Sequence, residues 1–259
     1  MRILVTNDDG YDAPGLSAAA SALIEAGHDV IVAAPLTERS GSGSSLGSIE
    51  DGTHIPVLST SLPGLGTTPV YAFDCPPALA VVACCAGSYG RAPDLVVSGI
   101  NPGHNTGRSI LFSSTVGAVL AARVAGISGL AVSCGFPPAH RFDTAAAVIT
   151  RLVEWMTASD SQRMSLNVNV PDVDYAELGG IRITGLAARS MFSIRMSPAE
   201  GGLILHREER SRGFTEGTDS AAVAAGYVSV TALSGVGDEN EILELDSRHG
   251  EILGALERL

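Results

Sequence analysis

Asp8 and Asp9 stand side by side in the turn Asn7-Asp8-Asp9-Gly10, directly after the apolar run RILVT at 2–6. Two carboxylates held so close repel each other unless a cation sits beside them. Their oxygens are hard donors, suited to Mg²⁺, Mn²⁺ or Ca²⁺. The competing reading is a solvated turn in which Asp9, or Asp12 beyond it, caps the following helix. A second segment, SGINPGHNTG at 98–107, also follows an apolar run. Its Asn101 and Asn105 can lend amide oxygens to a cation or N–H groups to an anion, or they can simply build a glycine-rich turn. His104 reads as a loop residue. Ser113-Ser114-Thr115 opens a helix, where free N–H groups and hydroxyls suit a phosphate; N-capping by Ser113 or Ser114 is compatible with that. The stretch SGSGSSLGS at 40–48 has the composition of a flexible loop. Acidic ligands and neutral phosphate donors at one sheet edge make a phosphoryl site, in which a hydrolase uses a cation to activate water and neutralise oxyanions.

Several chemistries are excluded. All 16 basic residues are Arg, so there is no Schiff-base lysine, no P-loop lysine and no lysine general base. There is no HExxH, no Walker A motif, and no GxGxxG after the first strand. The net charge of −12 argues against a general nucleic-acid or anionic-membrane surface, though not against a local site for a small anion. Cys75, Cys84, Cys85 and Cys134 form no CxxC pair, and adjacent cysteines make poor disulfides. They read as small buried hydrophobes in a reduced, cytoplasmic protein. No signal peptide or membrane span is expected, because Met1 runs directly into a strand pattern.

The elements that must position these residues follow from the apolar pattern. Strands are expected at 2–6, 29–34, 70–73, 94–98, 129–133 and 164–170, with helices at 13–26, 77–87, 115–125 and 142–158. That alternation predicts an α/β fold with a doubly wound, mostly parallel, Rossmann-like sheet. Ligands bind at the carboxyl ends of such strands, where all four candidate segments fall. After Pro171 the pattern changes. Segments 181–185 and 193–209 read as a β-hairpin arm, 221–225 as a short helix, 228–233 as a closing strand and 248–259 as a terminal helix. Residues 1–171 are thus read as the metal- and phosphate-binding part, and 172–259 as an oligomerisation arm with the closing strand and helix of the same domain. An isolated hairpin is marginal in water, and only 17% of the 259 residues are charged. Both features lead to the expectation that the arm packs on another subunit.

In order along 1–233, the segments MRILVTNDDGYDAPGL, PLTERSGSGSS, DLVVSGINPGHNTG, FSSTVGAVLAA, LNVNVP and TDSAAVAAGYVSVTAL resemble the SurE family. These are survival-protein 5′/3′-nucleotidases, or nucleoside monophosphate phosphatases. The resemblance implies a metal-dependent phosphatase acting on nucleoside 5′- or 3′-monophosphates. It implies one Mg²⁺ or Mn²⁺ per subunit, held by Asp8, Asp9, Ser40 and Asn101, with Ser42 as the alternative register for Ser40. Asp8, Asp9 and Asn101 would be catalytic, and Asn105, Ser113, Ser114 and Thr115 would hold phosphate. The nucleophile would be water or Asp8, and the assembly a homodimer or homotetramer. Two departures stand out. The family commonly reads YSGTVGAA where this chain has Phe112-Ser113-Ser114-Thr115, so Ser114 replaces a glycine, and its Cβ is expected to narrow the pocket or slow turnover. The segment FDCPPALAV at 73–81 also differs from the family's usual GTPADCV-x-LAL. Two rival readings are a nucleotide-sugar glycosyltransferase, suggested by GHDVIVAAP at 27–35, and a non-catalytic nucleotide sensor, suggested by Ser114.

Overall fold

The computed structural model describes residues 1–135, 140–158, 163–210 and 212–235. The terminal helix expected at 248–259 lies outside them. Six apolar runs form parallel strands at the centre of the sheet: β1 (Arg2–Thr6), β2 (Asp29–Pro35), β4 (Val70–Phe73), β5 (Leu95–Pro102), β6 (Ser128–Cys134) and β7 (Ser165–Asn169). Three more strands flank them: β3 (Val57–Thr60), β8 (Ile181–Ile183) and β11 (Val228–Ala232). The sheet order is β3-β4-β2-β1-β5-β6-β7-β11-β8. Side chains alternate across each strand, so Ile3 and Val5 bury against α1 (Pro14–Glu25) and α4 (Phe142–Ala158), and Leu4 buries on the other face beside α2 (Pro77–Cys85) and α3 (Ser114–Val124). Both faces are covered, which is why these strands read as continuous apolar runs. Each fully buried side chain of the Ile3 or Leu4 kind contributes roughly 1.5–3 kcal/mol. Cys75, Cys84 and Cys134 are buried and unbridged, as expected of small core residues.

The structure corrects the sequence reading in four places. The strand expected at 94–98 runs on to Pro102, with a register shift against β6 between Ser98 and Asn101. Gly99 allows this: its φ is +134°, and a Cβ there would lie 2.3 Å from the Val132 carbonyl oxygen. Asn101 therefore sits on an irregular strand end, where bulges commonly re-aim a side chain. Segment 181–183 does not belong to the arm; it pairs with β11 at the edge of the main sheet. Strand β3, short and antiparallel to β4, has no strong alternation in its sequence VLST and is missed. Finally, Ala13 is the N-cap of α1 with no side-chain cap, so neither Asp9 nor Asp12 serves there.

The hairpin itself forms. Among the described residues, strands β9 (Phe192–Ala199) and β10 (Gly202–Glu209) pair only with each other. Ile194, Met196, Leu203, Ile204 and Leu205 are each more than half exposed. A short helix, α5 (Asp219–Ala224), precedes β11. Strands β11 and β8 extend the one sheet, so the described residues hold no second half-domain of the kind a glycosyltransferase needs. Among the described residues, no helix is long and apolar enough to cross a membrane.

Candidate active site

Strands β2, β1 and β5 are neighbours, and the chain leaves β1 toward β2 and β4 before crossing back to β5. The carboxyl end of that crossing is where a doubly wound sheet opens a crevice. A cavity of about 550 Å³ lies there, lined by Asp8 and Asp9 after β1, Glu38 and Ser40 after β2, Asn101, His104 and Asn105 at and after β5, and Ser113 before α3. The arm closes it from the far side with Phe192, Ile194, Leu205 and Arg207.

Asp8 is buried. Its Oδ1 accepts a hydrogen bond from the Thr115 hydroxyl at 2.7 Å, and its carbonyl accepts one from the Arg39 N–H at 2.7 Å. Burial pushes the Asp8 carboxyl above the usual carboxylate range, partly offset by the Thr115 bond. Asp9 is pushed up to about 7, first by burial, then by the charges of Asp8 and Glu38. A cation beside a pair of acids this costly to ionise would reverse the shift. The neighbouring donors fit. Ser40 gives its O–H hydrogen to Glu38 Oε1 at 3.0 Å, which leaves its oxygen lone pairs for another partner. Asn101 commits its Nδ2 to the Gly103 carbonyl at 2.6 Å, which leaves Oδ1 as its acceptor. Two carboxylates, a hydroxyl and an amide oxygen form a hard, all-oxygen set suited to Mg²⁺ or Mn²⁺. No cluster of three or more His, Cys, Asp or Glu with metal-holding geometry occurs among the described residues.

The phosphate candidates divide. Ser113 lines the cavity and caps α3, its Oγ accepting from the Val116 N–H at 3.2 Å. Asn105 lines it too, donating from Nδ2 to Ser133 Oγ at 2.8 Å and Thr115 Oγ1 at 3.4 Å. Ser114 and Thr115 do not line it; both are fully buried. The Thr115 hydroxyl is spent on Asp8, and the Ser114 hydroxyl points into the loop after β2, donating to the Arg39 carbonyl at 2.9 Å. The expectation that the Ser114 Cβ narrows the pocket is therefore corrected: the side chain faces away from it. Ser42, the alternative to Ser40, meets Ser114 Oγ at 2.9 Å and lies off the cavity.

Sequence reasoning missed the residues behind Asn105. The Asn105 N–H donates to Asn169 Oδ1 at 2.8 Å, and its carbonyl accepts from Asn167 Nδ2 and Asn169 Nδ2, both at 2.9 Å. The signal was present in LNVNVP: two Asn at i and i+2 of a buried strand share a face, and buried amides need partners. Asp219 was also missed. It is fully buried and accepts from the Gly107 N–H at 2.7 Å and the Ala187 N–H at 3.0 Å, tying the start of α5 to the end of the SGIN segment. His104 is buried, with Nε2 2.9 Å from the Val170 carbonyl oxygen, and burial lowers its pKa.

The model of the family described as "Survival protein SurE" matches residues 3–193. This chain belongs to the SurE family. The 5′-nucleotidase SurE of Synechococcus elongatus is 32% identical over 245 residues, covering 90% of this chain and 93% of its own. The 5′-nucleotidase SurE of Xanthomonas campestris pv. campestris is 35% identical over 242 residues, covering 90% and 89%. In three dimensions the chain is similar to the crystal structure of the SurE protein from Aquifex aeolicus, with a TM-score of 0.80 at 29% identity, covering 97% of this chain and all of that one. The mostly parallel sheet with its separate two-stranded hairpin is a SurE fold.

Proposed function

We propose that this SurE-family chain is a divalent-metal-dependent phosphatase that hydrolyses nucleoside 5′-monophosphates, and 3′-monophosphates in addition, to nucleoside and phosphate. The observation that carries it is the desolvated pair Asp8 and Asp9 at a switch-point cavity, with Asp9 raised to about 7. Asp8, Asp9, Ser40 and Asn101 would hold one Mg²⁺ or Mn²⁺. When bound, the cation would neutralise phosphate oxygens and make water a better nucleophile. The rest is done by this chain. Asn105 and Ser113 orient the phosphate at the start of α3, whose free N–H groups favour an anion without themselves changing protonation. Thr115 holds Asp8 by Oδ1, so the other carboxylate oxygen would serve the cation, which favours water over Asp8 as the attacking group. Phe112 and Phe192 bring aromatic faces to the cavity wall, and Arg207 lies over the Phe192 ring at 4.6 Å. Together they suit a nucleoside above the phosphate.

The same proposal covers assembly. The arm's apolar side chains and open strand edges are liabilities that a second copy would remove, giving a homodimer or, by pairing of dimers, a homotetramer in the cytoplasm. Phosphate release from a panel of mononucleotides, with and without Mn²⁺ or Mg²⁺, tests the activity. Release by wild type but not by folded Asp8→Asn supports it; equal release by both rejects the site.

A further inference from the structure

We propose that Ser114 is a positioning residue that presets Ser40 for the cation and so sets this chain's affinity for it. The inference rests on the metal-site reading above. Its basis is a saturated hydroxyl. A serine O–H donates once and accepts twice, and Ser114 uses all three capacities on the loop after β2. It donates to the Arg39 carbonyl at 2.9 Å, accepts from the Ser42 N–H at 2.9 Å, and meets the Ser42 hydroxyl at 2.9 Å. Since its one hydrogen goes to Arg39, Ser42 must be the donor in the last bond.

These partners bracket Ser40 on both sides. Arg39 is in turn fixed to Asp8, through its N–H to the Asp8 carbonyl at 2.7 Å. One residue at the start of α3 thus locks the Ser40 peptide against the strand that carries the acids. Gly117, one turn along the same helix, makes the close approach possible: a Cβ there would lie 2.2 Å from the Gly43 carbonyl oxygen. A second side-chain tether of the loop, Arg39 Nη2 to Asp74 Oδ1 at 2.6 Å, is solvent-exposed and of the weak surface kind. With alanine or glycine at 114, the Arg39 carbonyl and the Ser42 N–H lose a buried partner, and the Ser/Gly loop regains the freedom its composition implies. Ser114 faces away from the cavity, so the effect should fall on cation binding rather than on the chemical step.

The test is Mn²⁺ titration calorimetry on the full-length wild type, Ser114→Ala, Ser114→Gly and Ser42→Ala, with kcat and KM for a mononucleotide at saturating Mn²⁺. The Mn²⁺ dissociation constant should rise about tenfold in both Ser114 variants, equivalent to about 1.4 kcal/mol. It should rise by a smaller factor, about threefold, in Ser42→Ala, which loses one of the three bonds. The saturated kcat should stay within about twofold of wild type. Wild-type Mn²⁺ affinity in the Ser114 variants overturns the proposal, as does a faster saturated rate in Ser114→Gly, which would mean obstruction. If the Ser114 variants do not fold, Ser42→Ala decides alone, and unchanged affinity there overturns it. A wild type that takes up no Mn²⁺ instead rejects the metallophosphatase reading, and this inference with it.

Discussion

Replacing Asp9 by Asn should stabilise the metal-free protein near pH 8 and do nothing near pH 4. The folded state lifts the Asp9 carboxyl from 3.8 to about 7, so the folded chain keeps a proton that the unfolded chain releases near pH 4. Between about pH 4 and pH 7 the folded state binds more protons, and stability therefore falls as pH rises through that window, then levels off. Three pKa units correspond to about 4 kcal/mol. Asp9 is only partly buried, and solvent relaxation around it reduces the realistic figure to about 1–3 kcal/mol. At about 2–4 °C per kcal/mol for a chain near this size, Asp9→Asn should melt roughly 5 °C above wild type near pH 8 in EDTA. Asparagine cannot ionise, so the variant should lack the wild-type slope. With millimolar Mn²⁺ the order should reverse, because ligand binding stabilises only a chain that binds it. Thermal melts at fixed protomer concentration, with EDTA or Mn²⁺, measure all of this. An Asp9→Asn variant no more stable than wild type near pH 8, or equally stabilised near pH 4 and pH 8, refutes the reasoning.

Other outcomes follow from individual bonds. Thr115→Val removes the hydroxyl that holds Asp8 Oδ1 and should cut turnover about tenfold, with phosphate-release kinetics as the check; an unchanged rate assigns Thr115 no part in orienting Asp8. Asn169→Ala strips two hydrogen bonds from the Asn105 backbone and should cost about 1–3 kcal/mol of stability, read by urea unfolding, together with a rise in KM. Deleting 192–209 should convert the assembled protein to monomers in sedimentation. It should also raise KM, because Phe192 and Arg207 line the cavity; a wild type that is monomeric at micromolar concentration contradicts the assembly proposal.

Much of the fold was legible because the central strands are buried on both faces. RILVT, DVIVAA and DLVVS announce themselves as unbroken apolar runs, and the helices between them leave few topologies. What was hidden had a weak local signal. VLST at β3 is an edge strand set by pairing rather than by pattern. Residues 181–183 sit near the arm in sequence, yet join the main sheet only because β11 returns beside them. At the site, Asp8, Asp9, Asn101, Asn105 and Ser113 were readable from type and position, and the cavity brings them together. Side-chain direction was not readable. Ser113, Ser114 and Thr115 are consecutive, yet one lines the cavity, one locks the loop and one holds Asp8, because successive residues of a helical first turn point about 100° apart. The arm's place over the cavity was equally invisible, because it brings together residues roughly 80 to 200 positions apart.

The most direct test of the central claim is inorganic phosphate released from 5′-AMP and 5′-GMP by purified wild type, titrated with Mn²⁺ from an EDTA-treated start and run beside folded Asp8→Asn. The account predicts no release in EDTA, saturable release as Mn²⁺ is added, and about a hundredfold to a thousandfold less from Asp8→Asn, the scale on which a key electrostatic group acts. Release that is undiminished in EDTA, or that survives intact in Asp8→Asn, would contradict it.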